Sequence, residues 1–178
     1  MKFKKILFVG AMDREISSLQ SYFSCKESKK IYNIYPLFTA ENKGIHIAVL
    51  QTHVGDTNAA LAISEAIRIF NPDYVFKIGC VGGNSEGIHS GDIIVSVGFF
   101  HSGSWITRSK IDNTPTSDAS LWQSVFGEKP YQVNSSNLGG HPYIFSPDKK
   151  LTQKYIDFLK NNNMKFVESY IWLEQTYL

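Results

Sequence analysis

Pro72-Asp73-Tyr74-Val75-Phe76-Lys77-Ile78-Gly79-Cys80-Val81-Gly82-Gly83 is the stretch on which the fold turns. Residues 74–78 are mostly apolar and end in a glycine-rich turn at 79–83. Such a run predicts a strand of a parallel or mixed sheet, covered on both faces. Glycines at the carboxyl end of a strand let main-chain N–H groups come close to a ligand. Open α/β sheets bind ligands at that edge. A tight turn with no ligand is the plain alternative. After a polar loop, Gly91-Asp92 opens a second apolar run, 91–97, which predicts the next strand.

Upstream, residues 4–9 are rich in large apolar side chains and predict a central first strand, ended by Gly10-Ala11-Met12. Residues 13–23 predict a helix, with Ile16, Leu19, Gln20 and Phe23 on or near one face. Asp13 and Glu15 fall in its first turn, where negative charge suits the helix dipole. Residues 31–39 and 45–52 predict two strands joined by the turn Glu41-Asn42-Lys43-Gly44. Gly55 marks a turn, Asp56 or Thr57 is a candidate cap, and an alanine-rich helix runs to about residue 70. Asn71-Pro72-Asp73 ends that helix and launches the central strand. The order β, α, β, β, α, β, β predicts an α/β sandwich.

Residues 99–145 form a loop-rich insertion dominated by Ser, Gly, Asn and Pro, with Trp105, Trp122, His101 and His141. Ser146-Pro147-Asp148 predicts a helix start with Ser146 as cap, running to about residue 160. Leu151, Tyr155, Phe158 and Leu159 are expected to face inward. Residues 165–173 predict a last strand.

The chain has 178 residues, which suits a single domain, 1–178, with a core that needs no staples. The net charge of +2 is nearly balanced and the basic residues are scattered, so neither nucleic acid nor a membrane surface is the expected partner. Cys25 and Cys80 are far apart and in no C-x-x-C pattern, so a reducing compartment, the cytoplasm, is the expected location. The apolar run near the start, 6–9, is too short for a signal peptide or a membrane span. His46, His53, His89, His101 and His141 show no ligand spacing, and Gly10 stands without a G-x-G-x-x-G. No metal and no cofactor are therefore expected.

Four stretches together resemble the purine nucleoside phosphorylase and nucleosidase superfamily, and among its branches most nearly the 5'-methylthioadenosine/S-adenosylhomocysteine nucleosidases. Ile6-Leu7-Phe8-Val9-Gly10-Ala11-Met12-Asp13-Arg14-Glu15 is similar to a strand followed by G-A-M-x-x-E. Residues 52–60 are similar to a glycine-containing turn into an alanine-rich helix. Ile78-Gly79-Cys80-Val81-Gly82-Gly83 is similar to T-G-S-A-G-G, and Ser90-Gly91-Asp92-Ile93-Ile94-Val95-Ser96 to V-G-D-I-V-V-S. His101 falls near a histidine of the family. The resemblance covers residues 3–107 well and 146–178 loosely.

What the resemblance implies is a three-layer α/β/α sandwich around a mixed, twisted sheet, and cleavage of the N-glycosidic bond of a purine nucleoside. It implies that Glu15 activates water from an apolar pocket that raises its pKa toward working pH. Met12, Cys80, Val81 and Gly82 would line the substrate site, with Tyr177 stacked on the purine and Leu178 beside it. The bland alternatives are helix-dipole decoration for Glu15, turn packing for Cys80 and core closure for Tyr177. Gly10, Arg14 and Lys77 are the candidate phosphate-binding residues, since phosphorylase members carry basic residues there; surface solvation is the alternative. The family's later V-E-M-E segment and S-D pair are not found in this sequence, so a C-terminally truncated and impaired chain is expected. A phosphorolytic enzyme and a non-catalytic nucleoside-binding relative are the competing readings. The resemblance also implies a homodimer or larger homo-oligomer.

Overall fold

The protein is described by a computed structural model, which describes residues 4–83, 86–101, 105–106, 123–124 and 144–173. The chain clusters into two compact units, Met1–Gly82 and Gly83–Leu178.

The first unit contains β1 (Lys4–Gly10), α1 (Asp13–Tyr22), β2 (Lys26–Ile31), β3 (Tyr35–Asn42), β4 (Ile45–Gln51), α2 (Asp56–Phe70) and β5 (Tyr74–Lys77). They form a five-stranded sheet in the order β2-β3-β4-β1-β5. β1 runs parallel to both β4 and β5, whereas β2, β3 and β4 form an antiparallel meander, so the sheet is mixed. The central strands are apolar on both faces because a helix covers each face. Leu7 and Val9 of β1 and Ala48 and Leu50 of β4 pack with Ala62 and Ala66 of α2. Phe8 of β1 and Ile47 and Val49 of β4 pack with Ile16 and Leu19 of α1. This is the expected α/β/α layering, set by alternation along strands buried on both sides. The small side chains of Ala62 and Ala66, both fully buried, let α2 lie close on the sheet.

Three sequence expectations change here. Residues 74–78, expected as a central strand covered on both faces, form β5 at the edge of the five-stranded sheet, with Tyr74, Val75 and Lys77 exposed among the described residues. Residues 31–39 are not one strand: Ile31 ends β2, and Tyr32 (φ 51°) and Asn33 (φ 57°) make a left-handed turn before β3. β2 itself was not expected, because Lys26-Glu27-Ser28-Lys29-Lys30 is wholly exposed and only Ile31 is buried. A charged edge strand of this kind blocks further sheet pairing, and its pattern hides it from a search for apolar alternation. The hairpin into β4 closes on Lys43 and Gly44, both at positive φ (50° and 76°), the two-residue turn that matches strand twist. α2 is capped by Gly55 at φ 108°, with Asp56 as its first residue.

The second unit contains β6 (Ile93–His101), β7 (Trp105–Ile106), β8 (Gln123–Ser124), β9 (Ile144–Phe145), α3 (Lys149–Asn161) and β10 (Phe166–Leu173). β10 pairs parallel with β6, and β9 antiparallel with β6 on its other side. β7 and β8 pair antiparallel with each other. Val95 packs with Ile156 and Leu159 beneath the α3 crossover. Lys165 Nζ lies 3.0 Å from Asp92 Oδ1, which ties the starts of β10 and β6.

The expected loop-rich insertion 99–145 opens with the last residues of β6 and contains β7, β8 and β9; its other residues lie outside those described. α3 is capped by Asp148, whose Oδ1 accepts the Leu151 N–H at 2.7 Å, not by Ser146. Its buried residues are Ile156 and Leu159. Tyr155 and Phe158, expected to face inward, are exposed and stack on each other with ring centroids 6.5 Å apart. Among the described residues, no helix is long and apolar enough to cross a membrane.

Candidate active site

β1, β4 and β5 are parallel, so their carboxyl ends share one edge of the first unit. The Gly10 carbonyl accepts the Thr52 N–H at 2.9 Å just beyond β4, and the Val9 carbonyl accepts the Ile78 N–H at 2.8 Å just beyond β5. These bonds bring residues 78–80 alongside the turn from β1 into α1. Gly10 is required there by space: a Cβ would stand 2.5 Å from Ile16 Cγ2 and 3.3 Å from Glu15 Cβ.

Glu15 is the third residue of α1, and its carboxylate folds back over the helix start. Oε2 accepts the Ala11 N–H at 2.7 Å and the Met12 N–H at 3.0 Å. Oε1 accepts the Cys80 N–H at 3.1 Å. The Met12 bond is the reach-back from the third helical residue to the cap residue that stabilises many helix starts. The Cys80 bond has no such local purpose, since it spans 65 positions of sequence and joins α1 to the glycine loop.

Gly79 lies under this junction. A Cβ there would collide with Lys77 Nζ and stand 2.9 Å from Glu15 Oε1. Lys77 Nζ also donates to the Ile78 carbonyl at 2.8 Å, which folds the side chain back over the end of β5. Burial pushes the Glu15 carboxyl up. The N–H groups of Cys80, Met12 and Ala11, with the Lys77 ammonium, outweigh burial and hold its pKa below the ordinary 4.5. This corrects the sequence expectation of a raised pKa: the site is lined by main-chain donors and a cation, not by apolar surface alone.

The structure thus brings together Gly10, Met12, Glu15, Lys77 and Cys80. Val81 and Gly82 continue the same loop and are exposed. Arg14 is exposed on α1 and makes no ion pair among the described residues. Tyr177 and Leu178 lie outside the described residues. His101 is the last residue of β6. The sequence reading missed Ala11, because its contribution is a main-chain N–H that any residue would supply. It also assigned Gly79 to ligand approach, whereas the space at Gly79 is filled by the heads of Glu15 and Lys77.

Parallel strands ending on a carboxylate held by main-chain donors define an α/β protein whose candidate site lies at the carboxyl edge of the sheet, the edge where open α/β sheets bind ligands. Residues 5–177 match the family model of the Phosphorylase superfamily, and the chain belongs to that family. It is 29% identical over 147 residues to a 5'-methylthioadenosine/S-adenosylhomocysteine nucleosidase of Haemophilus influenzae, covering 83% of this chain and 54% of the relative. It is 34% identical over 92 residues to the nucleosidase of the same name from Actinobacillus succinogenes, covering 52% and 40%. The chain spans about half the length of the curated relatives it matches. The same fold is found in the Neisseria meningitidis nucleosidase in complex with methylthio-immucillin-A, with a TM-score of 0.68, 22% identity and coverage of 94% of this chain and 63% of that one. It is found again in the native futalosine hydrolase of Helicobacter pylori, with a TM-score of 0.74, 15% identity and coverage of 98% and 66%.

Proposed function

We propose that this protein hydrolyses the N-glycosidic bond of a purine nucleoside of the methylthioadenosine or adenosylhomocysteine type, with Glu15 as the group that activates water. In this reaction the oxygen of water bonds to C1′ of the ribose as the bond from C1′ to the purine nitrogen breaks. The bonding pair leaves with the purine, which takes up a proton, and the attacking water gives a proton to a base. Glu15 supplies the base side of this exchange.

One observation carries the choice of water over phosphate as nucleophile. The N–H groups of Ala11, Met12 and Cys80, which form a natural nest for an oxyanion at the helix start, all bond to the Glu15 carboxylate. An incoming phosphate would have to displace that carboxylate and meet its charge. An ionised carboxylate has about four acceptor positions. Three are filled, and the free one is on Oε1, where a water can be oriented. A carboxylate held ionised at neutral pH is a weak base, which suits a reaction whose water is deprotonated late, as the sugar cation forms.

Lys77 favours a second reading, phosphorolysis, because its ammonium stands beside the glycine loop. In either case Met12, Cys80, Val81 and Gly82 are assigned to the nucleoside, and Tyr177 and Leu178, on the family resemblance alone, to the purine. A place in methionine salvage in the cytoplasm, and assembly as a homodimer or larger homo-oligomer, belong to the same proposal and rest on the family resemblance alone; the relatives' names speak only of the nucleosidase reaction.

The test is release of free adenine from methylthioadenosine by the purified chain, with and without phosphate, beside Glu15→Ala. Phosphate-independent release that disappears in the variant is the expected outcome. Release that requires phosphate would replace hydrolysis by phosphorolysis. No release from a folded chain that still binds the nucleoside would leave a binding protein.

A further inference from the structure

Lys77 ends β5, and its side chain is exposed. Its ammonium is anchored on the Ile78 carbonyl at 2.8 Å, so the side chain curls back over the loop. From the other direction the Glu15 carboxylate reaches across α1 to the Cys80 N–H. The two heads meet over one Cα, that of Gly79, where the absence of a side chain leaves room for both. They flank Gly79 without a direct ion pair among the described residues, so Lys77 acts on Glu15 through space.

We infer that Lys77 is a positioning residue for Glu15, whose ammonium holds the carboxylate against residues 79–80, and is not a phosphate ligand. This inference rests on the hydrolytic reading for its kinetic consequence, but the Lys77–Glu15 coupling stands on its own geometry. The titratable groups around Glu15 are Lys77 at the end of β5, Cys80 in the following loop, and Asp13 and Arg14 on α1. Of the charged side chains among these, only Lys77 exerts a charge effect on the Glu15 carboxyl, and that effect lowers its pKa. Asp13 and Arg14 are exposed on the helix. Cys80 acts through its main-chain N–H. His53, in the turn after β4, and Asp56, the first residue of α2, lie at the same sheet edge.

A positive charge so placed does two things for a water-activating carboxylate. It keeps the group ionised as pH falls, and it opposes rotation of the carboxylate toward solvent. A neutral side chain of similar length loses both effects. Arginine keeps the charge and should keep most of both.

The experiment uses the full 178-residue chain and the variants Lys77→Met and Lys77→Arg. The Glu15 carboxyl carbon, assigned with Glu15→Gln, is titrated by NMR. In parallel, the pH profile of kcat/KM for adenine release from methylthioadenosine is recorded. The expected result is a Glu15 titration that moves to higher pH in Lys77→Met and stays low in Lys77→Arg. The acid limb of activity should move with it, giving a loss at pH 5 about threefold greater than at pH 8. The difference should shrink in 0.5 M salt, on the order of one Debye length of screening. An unmoved Glu15 titration in Lys77→Met would overturn the inference whatever the activity. So would a Lys77→Met variant that loses only a phosphate-dependent activity. A moved titration in a chain that releases no adenine would sink the hydrolase proposal and leave the coupling in place.

Discussion

Glu15 is held by three main-chain donors that come from two separate segments, and its replacement separates support from chemistry. Glu15→Ala removes the acceptor of all three N–H groups, the helix-start bond to Met12 among them, at a cost of about 1–2 kcal/mol. Glu15→Gln keeps an oxygen acceptor and should lose less, read as a smaller fall in the urea midpoint. Both should lose activity by about 10²–10⁴-fold, since neither can take a proton from water. A Gln variant that keeps its turnover would remove Glu15 from the chemistry. Gly79→Ala asks the opposite question. The new methyl meets the heads of Lys77 and Glu15, not main chain. The fold should survive with a change in stability of about 1 kcal/mol or less, while adenine release drops about 10- to 100-fold from misplacement of the carboxylate. The acid in this site was legible from the G-A-M-x-x-E pattern. Its electrostatics were not, because the donors that lower its pKa are main-chain groups of Ala11, Met12 and Cys80, which no side-chain pattern records.

α1 is placed by its contact with the end of β1, and α3 by its cap. Gly10→Ala puts a methyl 2.5 Å from Cγ2 of Ile16, a fully buried residue, so α1 must move or Ile16 must leave its rotamer. The expected cost is about 1–3 kcal/mol, measured by urea unfolding. Because α1 carries Glu15, activity should fall further than stability alone explains. In the second unit, Asp148→Ala should lower stability by about 1 kcal/mol, whereas Ser146→Ala should change little. Equal losses in the two variants would restore Ser146 as the cap. Both α-helices of the first unit, β1, β4 and the α3 crossover were legible, because apolar periodicity marks elements that bury a face; β5 was legible as a strand, but its burial was not, because it is the edge of its sheet. β2 was not, because Lys26-Glu27-Ser28-Lys29-Lys30 forms a strand through its pairing with β3 alone. The inward face of α3 was misjudged for a related reason. Apolar residues at 151, 155, 156, 158 and 159 spread over nearly half of the helix circumference, and only the register of Ile156 and Leu159 against Val95 decides which part of that arc is buried.

At the scale of the whole molecule, three carboxylates among the described residues tie stability to pH, and all three have folded pKa values below their ordinary ones. Burial raises Glu15, but the N–H groups of Cys80, Met12 and Ala11 and the Lys77 charge outweigh it. Glu65 is lowered by its hydrogen bond to Arg68, and Asp92 by the His89 N–H and then by Lys165. A lowered pKa means that the folded state binds fewer protons than the unfolded chain in the acid range, so stability rises with pH there. Each contribution is fully present above the unfolded value, 4.5 for the glutamates and 3.8 for the aspartate, and is lost as pH falls through the folded value. Stability from these three groups should therefore be flat from neutral pH down to about pH 5.5 and fall below about pH 4.5. The parts differ in their response to salt. Glu65 and Asp92 are half-buried but paired with the exposed cations Arg68 and Lys165, so salt should weaken their share. Most of the Glu15 share comes from main-chain hydrogen bonds and should persist. Urea unfolding of the wild type and of Glu15→Gln, Glu65→Gln and Asp92→Asn, at pH 7, 5, 4 and 3 in low salt and in 0.5 M salt, separates the terms. The triple variant should lose much of the acid slope, and high salt should move the wild type toward the Glu65→Gln/Asp92→Asn double variant. An acid slope that is unchanged in the triple variant would mean that other carboxylates govern the acid unfolding of this chain.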